Sequence, residues 1–172
     1  YNMTKKRING HGHLLPEPNQ IPAFMKEKQL FWIDEDKSFM RQGNWSRPIT
    51  AASFFLDEKI KWMAKNAIDH TVILNLSQLY CNGMSLQDTI DAIRFQNDFN
   101  AGVQADYPDK FTAGFVVQPL YIEAALKEIE RCVETLGLSL LCLPTHFIDA
   151  QGQWCSVADS SVYPIFELAN KY

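Results

Sequence analysis

The stretch TVILNL (residues 71–76) decides the fold class of this chain. It is short, rich in β-branched residues and almost wholly apolar, which is the pattern of a strand covered on both faces in a parallel sheet. FTAGFVV (111–117) and SLLCL (139–143) have the same character. A shorter run, RING (7–10), precedes them near the start of the chain. The sequence therefore predicts four strands, three of them fully buried.

Helical periodicity fills the intervals between these strands. Before the second strand, apolar residues recur at steps of three and four, at Leu56, Ile60, Met63, Ala64 and Ala67. The next helix begins at SLQD (85–88), which has capping-box spacing. A third ends before Gly137, and a last one begins at about Ser160. Alternating strands and helices predict an α/β protein with a parallel sheet and right-handed crossovers. Four such units fit either an open doubly wound sheet or half of an eightfold barrel.

The composition sets further bounds. The chain has 172 residues, a formal net charge of -4, 47% hydrophobic and 21% charged residues, so we expect a single domain over residues 1–172. No basic stripe follows any helix, which argues against nucleic-acid binding. No apolar run approaches the roughly 18 residues of a membrane span, so we expect no membrane partner. The four cysteines form no C-x-x-C pair, which favours reduced thiols and a cytoplasmic protein.

Residues 14–50 are the least regular part of the sequence. Four prolines fall within them, together with aromatic residues that look exposed: Phe31, Trp32, Phe39 and Trp45. A segment of this length between regular elements is usually functional. We therefore expect a long loop inserted at the active site, with a small hairpin around LFWIDEDKSFM (30–40).

RINGHGHLL (7–15) places His11 and His13 at the end of the first strand. Residues i and i+2 of a strand point to the same face, so both imidazoles can face one site where barrel active sites lie. Neutral imidazoles suit zinc and other borderline divalent ions. By itself the pattern also fits two surface histidines in a turn, and His70 and His146 are not expected to complete a metal site. Neither a G-x-G-x-x-G run nor a P-loop follows this strand, which argues against a nucleotide site.

Three stretches resemble one known family: INGHGHLLPEP (8–18), LDEKIKWMAKNAIDHTVIL (56–74) and the segment from NDFNAG to LPTH (97–146). They are similar to the amidohydrolase-related (amidohydrolase family 2) metal-dependent enzymes, in the branch of the amino-carboxymuconate-semialdehyde decarboxylases. An H-x-H motif alone is weakly specific, but ERCVETLG (130–137) lies in register behind it. The resemblance implies the N-terminal half of a (β/α)8 TIM barrel.

The resemblance also implies a chemistry. Such enzymes hold a divalent metal, for which zinc is our first expectation, and His11 and His13 would be two of its ligands. A metal-activated water then serves the non-oxidative decarboxylation, or the hydrolysis, of a small carboxylate-bearing substrate. A guanidinium group can bind the carboxylate of such a substrate through two hydrogen bonds, and other loop residues can line its pocket. The candidate substrate-binding residues are Arg41, Arg47, Trp45 and His146.

Two departures from the family pattern stand out. Asn9 occupies the position of an acidic residue, and we expect its amide to orient a neighbouring imidazole. The family's third histidine ligand, its acid-base histidine and its ligand aspartate would all lie beyond Tyr172. The catalytic residues therefore stay unknown from this sequence, and we expect the 172-residue chain alone to be inactive.

The length leaves a second interpretation open. The chain would then be a truncated or incomplete half-barrel with no turnover of its own, which binds a metal or a partner chain. A half-barrel leaves two strand edges unpaired, so we expect a homo-oligomer, in the simplest case a dimer. A third interpretation, an open α/β sheet with a function that needs no metal, has no motif in its favour.

Overall fold

The computed structural model describes residues 5–172 of the chain. They form two compact units: the first comprises the described residues up to Leu74 together with Gly102–Ala113, and the second comprises Asn75–Ala101 and Gly114–Tyr172. Both units contain buried apolar side chains, among them Met63 in the first and Ile129 in the second. The single domain that the composition predicts over residues 1–172 stays a prediction.

The first unit contains most of the short elements. In chain order these are β1 (Ile8–Gly12), α1 (Ala23–Glu27), β2 (Trp32–Ile33), β3 (Phe39–Gln42), β4 (Trp45–Pro48), α2 (Ala51–Phe54), α3 (Leu56–Lys65) and β5 (His70–Ile73). β1 runs parallel to β5 with Gly12 opposite Ile73, and the register shifts between Asn9 and Gly12. α3 forms where the apolar spacing predicts a helix, and its Met63 is buried. The shift in register lies beside the two histidines.

The segment 14–50 is more regular than its sequence suggests. β2, β3 and β4 form a three-stranded antiparallel sheet, so the predicted hairpin is present and a third strand extends it. Phe31 is not exposed as predicted but fully buried, together with Met25 and Met40. Trp45 and Phe39 are exposed. The segment therefore buries apolar side chains from α1, from the residue before β2 and from β3, so it is not an open loop.

The second unit contains the start of the longest described helix. α4 (Leu86–Asp106) begins in it, followed by β6 (Phe111–Val116), α5 (Ile122–Glu130), β7 (Leu140–Cys142), β8 (His146–Ile148), β9 (Trp154–Ser156) and α6 (Tyr163–Ala169). The Oγ of Ser85 accepts a hydrogen bond from the main-chain N–H of Asp88 at 3.2 Å, as the capping motif predicts. A π-helical turn (Arg131–Thr135) follows α5, and Gly137 then adopts a φ of 69°, the left-handed conformation that ends a helix.

The strand order confirms the parallel sheet. β5 pairs in parallel with the first half of β6, and the second half of β6 pairs in parallel with β7, which gives the order β1-β5-β6-β7. β8 and β9 form a separate antiparallel pair in the segment that follows β7. No helix within residues 5–172 is long and apolar enough to cross a membrane.

Glu128 of α5 is buried, although helical periodicity predicts that it faces solvent. The spacing predicts that Glu128, Glu130 and Arg131 face solvent, but only 7% of the Glu128 side chain is exposed. Its carboxylate accepts hydrogen bonds from Arg131 at 2.8 and 2.9 Å and from Asn97 at 2.8 Å. Burial raises the pKa of Glu128, but these hydrogen bonds outweigh it and hold the pKa below its ordinary value. Since Asn97 also bonds the main chain of Val116, the carboxylate links α5 through α4 to β6.

Candidate metal centre

β1 brings His11 and His13 together. Their Nε2 atoms lie 3.1 Å apart, and the two rings meet edge to face with centroids 4.9 Å apart. The i, i+2 spacing therefore does what the sequence predicts and directs both imidazoles to one point. His11 is exposed, whereas His13 is half-buried just past the end of the strand.

His13 is held in one orientation. Its Nδ1 donates a hydrogen bond to the main-chain oxygen of Leu74 at 2.8 Å, which leaves the lone pair on Nε2, the atom that faces His11. Burial lowers the pKa of His13, the bond to Leu74 raises it, and the positive charges of His11, Lys59 and Arg47 lower it, so that the net shift is downward. A neutral imidazole with a fixed Nδ1–H is the form that binds a metal through Nε2.

The donor set fits a divalent metal in part. Two bonds of roughly 2.1 Å at roughly 90 to 110° place adjacent nitrogen ligands roughly 3.0 to 3.4 Å apart, and the observed 3.1 Å lies in this range. Within residues 5–172 there is no cluster of three or more histidine, cysteine, aspartate or glutamate side chains. The described residues therefore offer two candidate nitrogen donors, and a metal site that included both would need at least one more ligand.

The other histidines have different surroundings. His70 is engaged on both ring nitrogens, by the main-chain oxygen of Asp109 at 3.1 Å and by the Oγ1 of Thr112 at 2.9 Å. His146 is exposed on β8 in the second unit, and its Nδ1 lies 3.3 Å from the Oγ1 of Thr145. His70 thus has a structural role between neighbouring strands. A substrate-binding role for His146 stays a prediction.

Asn9 makes a hydrogen bond to the main chain beside the histidines. Its side-chain oxygen accepts a hydrogen bond from the main-chain N–H of His11 at 3.3 Å, and the expected orientation of a ring by this amide stays a prediction. The contact restrains the backbone where the register of β1 shifts. An amide at this position therefore acts on the path of the strand, because its short side chain reaches a nearby peptide group.

The two candidate arginines differ in their partners. Arg41 on β3 donates to both oxygens of Asp34, with Nε at 2.8 and 3.0 Å and Nη2 at 2.7 Å. This bidentate pair lowers the pKa of Asp34, with the hydrogen bond from Arg41 as the largest cause. Arg47 on β4 instead lies over the ring of Phe54 at 5.9 Å. Trp45, also on β4, is exposed.

Two residues of this region are missed by sequence reasoning. The ring of Phe54 stacks on His13, with centroids 6.5 Å apart and planes 16° apart, and Arg47 lies over the same ring, so Phe54 is adjacent to both residues. Leu74 acts through its main-chain oxygen, for which no side-chain pattern exists. The position of Leu74 directly after the second parallel strand was the available signal, since carboxyl ends of adjacent strands meet at one edge.

Comparison with known proteins shows which proteins this chain resembles. No protein-family model matches the chain. The 2-amino-3-carboxymuconate-6-semialdehyde decarboxylase of Dictyostelium discoideum is 26% identical over 175 residues, which cover 96% of this chain and 46% of that protein. The resemblance to the amidohydrolase-related decarboxylases is confirmed. The chain spans about half the length of this curated relative, with 46% of it covered.

Solved structures of amidohydrolase-related decarboxylases share the fold. A 5-carboxyvanillate decarboxylase from Novosphingobium aromaticivorans, complexed with manganese and 4-hydroxy-3-methoxy-5-nitrobenzoic acid, matches with a TM-score of 0.72 at 19% identity and covers 98% of this chain and 48% of that one. A 2,6-dihydroxybenzoate decarboxylase from Rhizobium matches with a TM-score of 0.67 at 20% identity, covering 98% and 47%. The fold is therefore the N-terminal half of an amidohydrolase (β/α)8 barrel, not an open doubly wound sheet.

Proposed function

We propose that this chain forms the N-terminal half of a metal-dependent decarboxylase, which removes CO2 without oxidation from a small aromatic or enoic carboxylate. The observation that carries the proposal is the convergence of the His11 and His13 Nε2 atoms to 3.1 Å, with the second ring held by Leu74. The similar proteins described above are decarboxylases of such acids. They favour decarboxylation over hydrolysis of a comparable substrate.

His11 and His13 would hold the metal through their Nε2 atoms. A bound divalent ion supplies a Lewis acid and lowers the pKa of a coordinated water. Nitrogen ligands are compatible with zinc, which we expect from the donor chemistry, while the 5-carboxyvanillate decarboxylase contains manganese. Phe54 would keep the His13 ring in plane by stacking on it.

Arg47 is the residue that we propose to receive the substrate carboxylate. It has no carboxylate partner among the described residues, and through Phe54 it is adjacent to His13. Arg41 is the weaker candidate, because Asp34 already occupies its guanidinium. The exposed Trp45 lies two residues before Arg47 on β4 and would border the same substrate.

A half-barrel without turnover is the second candidate function. One observation favours it: the part of the chain that the structure describes supplies two metal ligands and no third. Such a chain would bind a divalent ion weakly, or bind a partner chain, without converting a substrate. We further propose a homodimer, since β1 pairs only with β5 among the described strands and Ile8 on β1 is 62% exposed.

Metal titration tests the site. Zn²⁺ and Mn²⁺ are titrated calorimetrically into chelator-treated protein, and the bound metal is quantified by elemental analysis. We expect one ion per chain, and loss of binding in a variant with both His11→Ala and His13→Ala. His146→Ala is the matched control, because it removes an exposed imidazole of the second unit. Undiminished binding by the double variant would contradict the assignment.

An activity assay then tests turnover by the chain itself. The metal-loaded chain is incubated with 2,6-dihydroxybenzoate, and released CO2 is measured by mass spectrometry. Metal-dependent release that is lost in the double variant supports the decarboxylase and overturns the half-barrel without turnover, together with the expectation that this chain alone is inactive. Metal binding without any release is the result that we expect of the 172-residue chain by itself. Size-exclusion chromatography with light scattering tests the dimer, and a monomeric mass at micromolar concentration would overturn it.

A further inference from the structure

A cavity of the second unit is used by nothing described so far. Its volume is about 470 Å³, and it lies between the first turns of α4, the segment that follows β6 and the first turns of α5. Cavities that bind small molecules have volumes of about 300–1,000 Å³ and mostly apolar walls. The apolar residues of this wall include Leu86, Ile90, Ile93, Val117, Leu120, Ile122 and Ala125.

The apolar wall of the cavity continues beyond the buried core of the unit to the solvent-exposed surface. Ile93 is buried, but Leu86 on the same face of α4 is 47% exposed. Leu86, Ile90 and Ile93 follow one another at steps of four and three, so they form a continuous stripe on one helix face. The stripe leads from solvent into the interior of the unit, which gives the cavity an apolar entrance.

Arg94 brings a positive charge to this wall. Its guanidinium makes a contact of 3.7 Å with Glu128, and 56% of its side chain is exposed. Glu128 does not depend on that contact, because Arg131 and Asn97 already donate to its carboxylate at 2.8–2.9 Å. Lys127 adds a second positive charge to the lining. Arg94 is therefore able to bind an anion without leaving Glu128 unpaired.

A buried hydroxyl on the same wall lacks a partner. Thr89 lines the cavity and is 2% exposed, and its Oγ1 has no hydrogen-bond partner among the described residues. Buried polar groups in proteins are nearly always bonded, so this hydroxyl points to a contact that the chain itself does not supply. Glu123 and Glu128 also line the cavity and would repel an anion, so an anionic group would be bound by Arg94 and Lys127, the two cations of the lining.

We propose that this cavity binds a monocarboxylic acid with an apolar body. The apolar body lies against the stripe of α4 and the facing residues of α5, and the carboxylate is bound by Arg94. The site is in the second unit and needs no metal, so it is independent of the site of His11 and His13.

Binding of octanoate to the chelator-treated chain tests the proposal. Octanamide is the matched neutral ligand, and both are titrated while amide chemical shifts are recorded by NMR. We expect saturable octanoate binding with shifts centred on Ile93 and Ala125, and at least fivefold weaker binding of octanamide. Arg94→Gln should weaken octanoate binding at least fivefold and leave octanamide unchanged. Ile90→Trp should weaken both ligands by filling the entrance.

Two controls make the test decisive. Arg47→Gln removes the proposed carboxylate receptor of the first unit and should leave the octanoate-induced shifts at Ile93 and Ala125 unchanged. Circular dichroism confirms that each variant is folded. If a variant does not fold, the comparison of octanoate with octanamide on the wild-type chain decides the test in its place. The proposal is overturned if octanoate does not saturate, if octanamide binds equally well, or if Arg47→Gln rather than Arg94→Gln removes binding.

Discussion

His13 donates a hydrogen bond from Nδ1 to the main-chain oxygen of Leu74 at 2.8 Å. Leu74 directly follows β5, so this bond joins the end of one parallel strand to the end of its neighbour. His11 has no such anchor: its ring is exposed, and its polar contact among the described residues is the 3.1 Å approach to His13. The two imidazoles of the pair therefore differ in what holds them.

This difference predicts unequal effects of two alanine variants in the absence of metal. His13→Ala removes a half-buried ring, its bond to Leu74 and its stack on Phe54, and should lower the free energy of unfolding by about 1–2 kcal/mol. His11→Ala removes an exposed ring and should change it by less than about 0.5 kcal/mol. Urea unfolding in the presence of a chelator measures both. Equal effects of the two substitutions would contradict the anchoring of His13.

Two glycines of β1 provide a second matched pair. A Cβ on Gly12 would lie 2.7 Å from the Cγ2 of Thr71, while a Cβ on Gly10 would meet nothing within 4 Å. Thr71 is fully buried and cannot move aside cheaply. Gly12→Ala should therefore destabilise the chain by about 1–3 kcal/mol, and by moving the strand it should weaken metal binding as well.

Gly10→Ala is the control for this prediction. It adds the same methyl group on an exposed face of the same strand, and should change stability by less than about 0.5 kcal/mol. Thermal unfolding and metal titration are compared for the two variants. If Gly10→Ala were the more damaging substitution, the close approach of β1 to β5 at Gly12 would not be what limits this strand.

The two arginines should separate substrate binding from local structure. Arg47→Gln removes the proposed carboxylate receptor and should weaken benzoate binding to metal-loaded protein about tenfold, because a charge-assisted hydrogen bond contributes about 1.5–3 kcal/mol. Arg41→Gln disrupts the pair with Asp34 but should leave benzoate affinity unchanged. Fluorescence or calorimetric titration gives both affinities. Weaker binding in Arg41→Gln alone would reverse the assignment.

Glu128 predicts a dependence of stability on pH. Because its pKa in the folded chain lies below the ordinary value of 4.5, its stabilising contribution is complete above about pH 4.5 and is lost as the pH falls through the folded-state pKa. Glu128→Gln should lower the free energy of unfolding by about 1–3 kcal/mol at pH 7. The gap between wild type and variant should then narrow below pH 4.5.

Glu130→Gln is the matched control for this titration. Glu130 is exposed on the same helix, so its replacement should have little effect at any pH. Denaturant unfolding from pH 3 to 8 gives both curves. A constant gap between wild type and Glu128→Gln across that range would show that the carboxylate charge does not contribute.

The regular elements were largely predictable, and the reason is local. The buried strands, the Ser85 cap of α4 and the stop at Gly137 depend on residues a few positions apart, so their patterns are visible in the sequence. The sheet within residues 14–50 was harder to predict, because β2 has two residues and β3 and β4 have four each. Strands this short show little alternation of apolar and polar residues, and they form because they pair with one another.

The candidate site was predictable only in its donors. His11 and His13 are two residues apart, and strand geometry alone directs them to one side. Their partners are distant in sequence: Leu74 lies 61 residues from His13, and Phe54 is on a separate helix. The burial of Glu128 was not predicted for a related reason. Helical periodicity indicates which face of a helix a residue lies on, but it does not indicate whether donors such as Arg131 and Asn97 are present to bond a buried carboxylate.

The sequence by itself determined the α/β class, the alternation of parallel strands with helices along the chain, and the pair of histidines at the end of β1. These follow from backbone geometry over short spans, where neighbours along the chain are also neighbours in space. Only the tertiary structure decided which of Arg41 and Arg47 pairs with a carboxylate among the described residues, which nitrogen of His13 faces His11, and where a carboxylate is buried. Those outcomes depend on hydrogen bonds between distant segments, such as Arg41 with Asp34, and such bonds have no periodicity in the sequence.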